Sequence, residues 1–445
     1  MQPIVRIESV QIENVKNIRT GSFHTNTEFE NIINADVLGF YGQNGSGKTG
    51  IVEVFSLLKV LLSGNQRKLP SITKHLTYFN ENEINMNFNF IVKNNYGEFF
   101  LKYSASLLLG EEYLYINKED LSYRENIKNK RFKVIISKNS QDIFIRNQSV
   151  KNLNEENRIS VMVANKMSME NNTSFIFQKE LIQFATKFLN EIESELLLNL
   201  HSDFNRDFHV IDAMNYGLLV ANVVMPFSIH FENSRGEIPY KMQDTMVLPQ
   251  NAFATIKTVI EQINIVLQNL IPGLQIKVNE INSQIMDDGS EGVRFEFLSK
   301  KGNIELPLRS ESTGILKIIS VLSTLIAVYN NPNACVVIDE LDAGIFEYLL
   351  GELLEVISEN GKGQLIFTSH NLRILEVLPI RNLWFTTSNE FNRFIQLKGV
   401  KKLSNARDIY LRAVQLGGQD ESIYLETDQY DIKKSFRKAG ILNGK

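Results

Sequence analysis

The stretch Gly42-Gln43-Asn44-Gly45-Ser46-Gly47-Lys48-Thr49 constrains this chain more than any other. It fits the pattern G-x-x-x-x-G-K-[ST], which needs a strand before it and a helix after it. Both flanks comply. Val37-Leu38-Gly39-Phe40-Tyr41 is short and apolar enough for a buried strand, and Ile51-Val52-Glu53-Val54-Phe55-Ser56-Leu57-Leu58 can continue as a helix. The glycines let successive backbone N–H groups turn inward and form an anion-binding nest. Such a loop, here Gly42, Asn44, Gly45, Ser46 and Gly47, wraps the phosphates of a nucleoside triphosphate. Lys48 reaches the β/γ-phosphates, and the Thr49 hydroxyl ligates Mg²⁺.

A chain of 445 residues is long enough for two or three domains. It has no uninterrupted run of about 18 apolar residues, so no membrane span is expected. Arg6 and Glu8 stand where a signal peptide would need an apolar core, and the single cysteine, Cys335, cannot form an intramolecular disulfide. A cytoplasmic protein is expected on both counts. No Cys/His cluster offers a zinc site. The net charge of −4 excludes a polycation that coats DNA. Two local basic stretches stand out, one with Lys128, Lys130, Arg131 and Lys133, the other with Lys433, Lys434, Arg437 and Lys438. They read first as solvated surface and second as a contact for nucleic acid or a partner.

Along the chain, residues 4–18 alternate like a half-buried strand. Ile84 to Val92, Phe99 to Tyr103 and Tyr113 to Ile116 do the same, with a turn at Asn94-Asn95. Phe132 to Ser137 and Asp142 to Asn147 read as a further hairpin, so residues 80–150 are expected to be antiparallel sheet. Apolar residues at helical spacing fill Phe175 to Leu200 and Ala252 to Ile271, the latter stopped by Pro272-Gly273. Neither persists over enough heptads for a coiled-coil arm. The region of Pro226, Pro239 and Pro249 reads as irregular linker. Strand signals return from Ile276. An apolar helix, Ile315 to Tyr329, then precedes two buried strands, Ala334 to Ile338 and Gln364 to Thr368, with a helix between them. Strands alternating with helices imply a parallel α/β core.

A P-loop needs a second acid for its metal, at the end of a neighbouring strand. Asp339 ends such a strand and can hold Mg²⁺. Glu340, one residue on, can polarise the attacking water, an assistance worth about 10²–10⁴-fold. His370 ends the next apolar strand, where its imidazole can donate to a γ-phosphate or orient water. Ser310-Glu311-Ser312-Thr313-Gly314 opens a helix. It can be a simple cap. Equally, a serine hydroxyl, a glycine N–H and the helix dipole can face a phosphate that belongs to another chain.

The order of these motifs resembles the ABC-type ATPases of the SMC/RecF/OLD group, closest to the AAA-type ATP-binding proteins of bacterial abortive-infection and antiphage systems. Ile12-Glu13-Asn14-Val15-Lys16-Asn17-Ile18 is similar to that group's I-x-N-F-K-x-I strand, with Val15 in place of Phe. Gly42 to Thr49 is similar to Walker A, Ser310 to Gly314 to the signature, and Val336 to Glu340 to Walker B. Leu341-Asp342-Ala343-Gly344 resembles the D-loop, and Thr368-Ser369-His370-Asn371 the His-switch. Gln178 is a candidate for the Q-loop glutamine. The signature lacks the Leu-Ser-Gly-Gly-Gln of transporters. Arg407 to Gly418 resembles, more weakly, the end of abortive-infection AAA proteins.

The resemblance implies an α/β ABC-type P-loop ATPase head with a parallel core, an antiparallel β-subdomain and a short helical insertion. The implied units are an N-terminal ATPase lobe (1–150), a helical insertion or lid (151–275), a C-terminal ATPase lobe (276–400) and a tail for partner docking (401–445). It implies slow, regulatory hydrolysis of ATP with Mg²⁺. ATP would be sandwiched head to tail in a homodimer or larger assembly. Lys48, Thr49, Asp339, Glu340 and His370 would act from one copy, and Ser312 and Gly314 would close over the γ-phosphate from the other, with Asp342 coupling the sites. No nuclease motif stands out. The implied role is therefore a sensor or scaffold that controls a separately encoded effector, a Toprim or HNH nuclease. The alternatives are a RecF-like ATPase clamp on DNA and a self-sufficient toxin acting on RNA through the tail.

Overall fold

The computed structural model describes residues 2–64, 67, 69, 73–111, 113–140, 142–185, 187–212, 224–231, 234–241, 244–398 and 406–442. The alternating segments near the N-terminus become β1 (Ile4–Val15), β2 (Ile18–His24), β4 (Glu83–Asn94), β5 (Gly97–Leu109), β6 (Leu114–Glu125), β7 (Lys133–Asn139), β8 (Asp142–Ile145) and β9 (Gln148–Ser149). They pair antiparallel in the order β2-β1-β4-β5-β6-β7-β8-β9. In β4, Ile84, Met86, Phe88 and Phe90 are fully buried, and Asn85, Asn87 and Asn89 between them are not. Each such burial stabilises the fold by about 1.5–3 kcal/mol. The turn falls at Asn95-Tyr96, one residue later than expected, with Asn94 still in β4 opposite Gly97.

A second sheet is made of buried apolar runs: β3 (Asp36–Tyr41), β10 (Phe208–Ile211), β17 (Cys335–Ile338), β18 (Gln364–Thr368) and β19 (Leu383–Thr386), with β20 (Phe394–Ile395) on the edge. Its order is β10-β17-β18-β3-β19-β20, parallel except for β20. Such strands are apolar throughout because both faces are covered. The helix α1 (Lys48–Leu62) fills the space between the sheets. Its Phe55 lies 6.0 Å from the ring of Phe88 in one sheet and 6.2 Å from that of Phe208 in the other. Gln364 ties the sheets directly: its amide exchanges hydrogen bonds with both the N–H and the C=O of Ile7, each at 2.9 Å.

The acid-bearing strand was expected beside β3. It is not: β18 lies between β17 and β3. That insertion sets the spacing of the site described below.

The middle of the chain is less uniform than a helical insertion. Phe175 to Leu200 is divided into α3 (Lys179–Ala185) and α4 (Glu191–Leu198) after α2 (Glu155–Asn171). The break has a local cause: Asn190 caps α4, accepting from the Glu193 N–H while Glu193 reaches back to the Asn190 N–H. The proline region is strand, not linker: β11 (Val224–Phe231) and β12 (Ser234–Lys241) form an antiparallel pair, and β13 (Met246–Pro249) joins β15 (Glu291–Lys301). Residues 213–223 lie outside the described residues.

The helix expected at Ala252 to Ile271 is α5 (Gln250–Leu270). It packs on the sheet of β13, β14 (Leu274–Ile285), β15 (Glu291–Lys301) and β16 (Ile304–Pro307), where Phe253 meets Phe295 at 5.1 Å. The same cluster holds α6 (Thr313–Asn330) through Leu316, Ile319 and Leu322. By composition α6 is apolar enough to cross a membrane, with a mean hydropathy of 1.5, but most of it is buried as a core helix. After α7 (Glu347–Asn360), α8 (Ala406–Leu416) packs on the parallel sheet, Tyr410 stacking on Phe385 at 5.3 Å. The chain ends in α9 (Gln429–Leu442).

The first basic stretch is solvated surface: Lys128, Lys130 and Arg131 lie exposed in the turn between β6 and β7, and Lys133, which opens β7, is exposed too. Arg124 lies over the Phe100 ring at 3.8 Å, and Lys130 pairs with Glu125 at 3.1 Å. Lys138 is 3% exposed, and burial lowers its pKa.

Candidate nucleotide site

The carboxyl ends of β3, β17 and β18 converge, as ligand sites in parallel sheets do. The loop after β3 is tied down along its length. Lys48 bends back, and its Nζ donates to the Gly42 and Gln43 carbonyls at 2.8 and 3.1 Å. The Ser46 hydroxyl donates to the Gln43 carbonyl at 2.6 Å, and the Asn17 amide donates to the Gly45 carbonyl. Thr386, at the end of β19, contacts the Ser46 hydroxyl. It also leaves no space at Gly42, where a Cβ would come within 1.6 Å of the Thr386 Oγ1. Burial lowers the Lys48 pKa, and Asp339, Glu340 and Asp342 pull it back up.

Asp339 is 1% exposed. Its Oδ1 accepts from the Thr368 hydroxyl at 2.6 Å, and its Oδ2 is buried with no partner among the described residues. The same Thr368 Oγ1 accepts from the Glu340 N–H at 2.8 Å. Glu340 is exposed and has φ 47°, an unusual conformation for a non-glycine residue. Strain of this kind accumulates where side-chain placement matters. The inserted strand β18 makes this arrangement possible, because it sets Thr368 against both the Asp339 carboxylate and the Glu340 backbone N–H.

His370 lies two residues beyond the end of β18, and its N–H donates to the Asp342 Oδ2 at 3.0 Å. Burial, then the nearby Lys48 charge, hold the His370 imidazole below its ordinary pKa. At pH 7 the ring is therefore neutral and can donate through one nitrogen while accepting at the other.

These groups line one cleft of about 380 Å³: Lys16, Asn17, Asn44, Gly45, Gly47, Lys48, Thr49, Asp339, Glu340 and His370. Thr49 and the unpartnered Asp339 Oδ2 suit Mg²⁺, an oxygen-seeking ion that takes one or two protein ligands and completes its shell with phosphate and water. Among the described residues no cluster of three or more His, Cys, Asp or Glu competes as a metal site.

Ser312 and Gly314 do not line that cleft. Ser312 is exposed and caps α6, its Oγ accepting from the Ile315 N–H at 3.4 Å. Gly314 is pressed against its own chain's D-loop, where a Cβ would lie 2.0 Å from the Gly344 carbonyl oxygen. Gly314→Ala must displace that backbone, at about 1–3 kcal/mol. ATP binding by the monomer is expected to survive and ATP-dependent association to fail, as read by nucleotide affinity and light scattering.

Gln178 is at the wrong end of the molecule for a Q-loop. A Cβ on Gly64, just past the C-terminus of α1, would meet the Phe177 carbonyl oxygen at 2.1 Å and the Gln178 Cα at 3.5 Å. The P-loop is at the other end of this 15-residue helix, about 22 Å away.

The structure adds residues that sequence reasoning did not single out. Lys16 lines the cleft and pairs with Glu53 of α1 at 2.5 Å. Asp212 follows β10, whose Ile211 carbonyl accepts from the Asp339 N–H at 2.8 Å. The N-terminal motif was the signal for Lys16; nothing local marked Asp212. Thr368 is the most testable. Thr368→Val keeps the shape and removes both hydrogen bonds. It is expected to cost about 1–3 kcal/mol of stability, to raise the Mg²⁺ requirement and to slow hydrolysis, read from ATPase rates across a Mg²⁺ titration.

No curated protein matches the chain. Solved structures similar to it include an SMC head bound to the C-terminal winged-helix domain of ScpA (11% identity over 88% of this chain and 97% of that one, TM-score 0.42). Others are the SMC head domain from Thermotoga maritima (11%, 88% and 100%, TM-score 0.37) and the recombination mediator RecF with ATP (12%, 82% and 94%, TM-score 0.32). A family profile described as "AAA domain, putative AbiEii toxin, Type IV TA system" matches residues 37–376, which run from the P-loop strand past the His-switch. That match covers most of the chain, and with its P-loop, parallel core and large antiparallel sheet the chain belongs to this AAA-domain family.

Proposed function

We propose that this protein is an ATP-driven dimerisation switch of a bacterial antiphage system, cytoplasmic, controlling a separately encoded effector nuclease of the Toprim or HNH type. One observation supports the reading: the cleft is lined without the residues of the signature turn. Lys48, Thr49, Asp339, Glu340 and His370, the residues proposed to bind phosphate and metal and to activate water, share one cleft, while Ser312 and Gly314 stand outside it, Ser312 exposed. A second copy, head to tail, would bring its signature turn over the γ-phosphate. ATP then favours the pair because only the closed state has those contacts, and hydrolysis removes them. Asp342 would couple the two sites, a reading supported by its hydrogen bond from the His370 N–H. The abortive-infection character of the family supports the defence role.

The test has two parts. Light scattering should detect a dimer with ATP and Mg²⁺ and a monomer without. A tagged chain drawn from native cells should bring with it the product of a neighbouring gene. ATP-dependent binding to duplex DNA, falling steeply with salt, and no co-purifying effector would favour a DNA clamp instead.

A further inference from the structure

The last helix, α9, is unusual in this fold. Every side chain described in it is exposed, including Tyr430, Ile432 and Phe436. Ile432, Phe436 and Ala439 fall on one helical face, with Lys433, Lys434, Arg437 and Lys438 on the other. None of these cations has an ion pair among the described residues. The segment before α9, however, is fixed. Ser388 donates to the Ser422 carbonyl at 2.8 Å, Ile423 is buried, and the Leu425 N–H donates to the Oε1 of Gln43 at 3.1 Å. Gln43 is a residue of the P-loop itself. The arm therefore starts at the rim of the nucleotide cleft. Residues 426–428 add at most about 10 Å of reach, and the 14-residue helix about 21 Å more.

We propose that α9 docks on a second copy of this chain, along the exposed face of α7. The inference rests on the head-to-tail pairing above and adds a contact to it. In that pairing the P-loop of one copy faces the signature turn of the other. Gly314 of that turn abuts Gly344, and the chain runs from there into α7. The start of α7 in the second copy thus comes within reach of the arm.

The chemistry matches. Beside and along α7, Phe346, Tyr348 and Val356 are 69%, 51% and 50% exposed. Glu347, Glu352, Glu355 and Glu359 are exposed too, and α7 contains no lysine or arginine. None of these carboxylates has an ion pair among the described residues. The nearby Arg373 and Arg407 are committed to Glu376 at 2.5 and 2.6 Å. A basic helix thus meets an acidic helix whose exposed face carries Tyr348 and Val356 among its carboxylates. Such charges set specificity and speed of encounter, and salt weakens them.

The test uses full-length chains carrying Glu340→Gln, with ATP and Mg²⁺. One tagged population carries Lys434→Cys and a differently tagged one Glu355→Cys; the native Cys335 is fully buried. A short bismaleimide should join the two tags, and only with ATP. Separately, reversing Lys433, Lys434, Arg437 and Lys438 to Glu should weaken the ATP dimer roughly tenfold or more. Adding Glu352→Lys, Glu355→Lys and Glu359→Lys in the same chain should restore most of that loss. An ATP dimer of unchanged affinity, with no cross-link between tags, overturns the arm contact and leaves the pairing intact. No ATP dimer in any variant overturns both.

Discussion

Glu340→Gln is expected to bind ATP, to accumulate as a dimer and to stop turning over. The substitution keeps the size and shape of the side chain. The backbone at φ 47° and the hydrogen bond from the Glu340 N–H to Thr368 do not involve the carboxylate. What disappears is the carboxylate proposed to polarise water, with an expected loss of about 10²–10⁴-fold, or about 2.7–5.4 kcal/mol on the barrier. A negative charge facing the γ-phosphate disappears with it, so the closed state becomes more favourable while its exit by hydrolysis is blocked. Phosphate release should fall to background as light scattering reports a long-lived dimer. Turnover at the wild-type rate would remove Glu340 from the catalytic role.

That prediction could be written from sequence because the P-loop and the Asp339-Glu340 pair are local patterns. A glycine loop between an apolar strand and a helix, and an apolar run ending in two carboxylates, are set by chemistry a few residues long. The strict alternation of Ile84 to Phe90 is of the same kind, and it became β4. What stayed hidden was non-local. The position of β18 between β17 and β3 is fixed by crossovers and packing, and it gives Thr368 a role that no stretch around it announces. Pro226 and Pro239 read as linker because proline cannot donate to a central ladder. They pair with each other in an isolated two-stranded sheet, where both strands are edges and the missing N–H is tolerated. Gln178 fitted a motif list by residue type alone, and α1 places it a helix length from the phosphate loop.

Lys48→Ala should separate binding from folding. In the structure Lys48 serves the loop, bonding to the Gly42 and Gln43 carbonyls, and burial has already cost its ammonium part of its preference for charge. The carboxylates of Asp339, Glu340 and Asp342 act against that shift. Losing it removes charge-assisted hydrogen bonds worth about 1.5–3 kcal/mol each, so ATP affinity is expected to fall by on the order of 10²-fold. The loop itself keeps its ties from Ser46 and Asn17, so the melting temperature without nucleotide should barely move. The contrast appears on adding ATP. The unmodified chain gains about 2.7 kcal/mol at a hundredfold excess over its dissociation constant, and Lys48→Ala gains little at the same concentration. Lys48→Ala with ATP should be a monomer where Glu340→Gln with ATP is a dimer, two opposite states from residues in one cleft. Unchanged ATP affinity in Lys48→Ala would contradict phosphate binding by this loop, and the dimerisation argument with it.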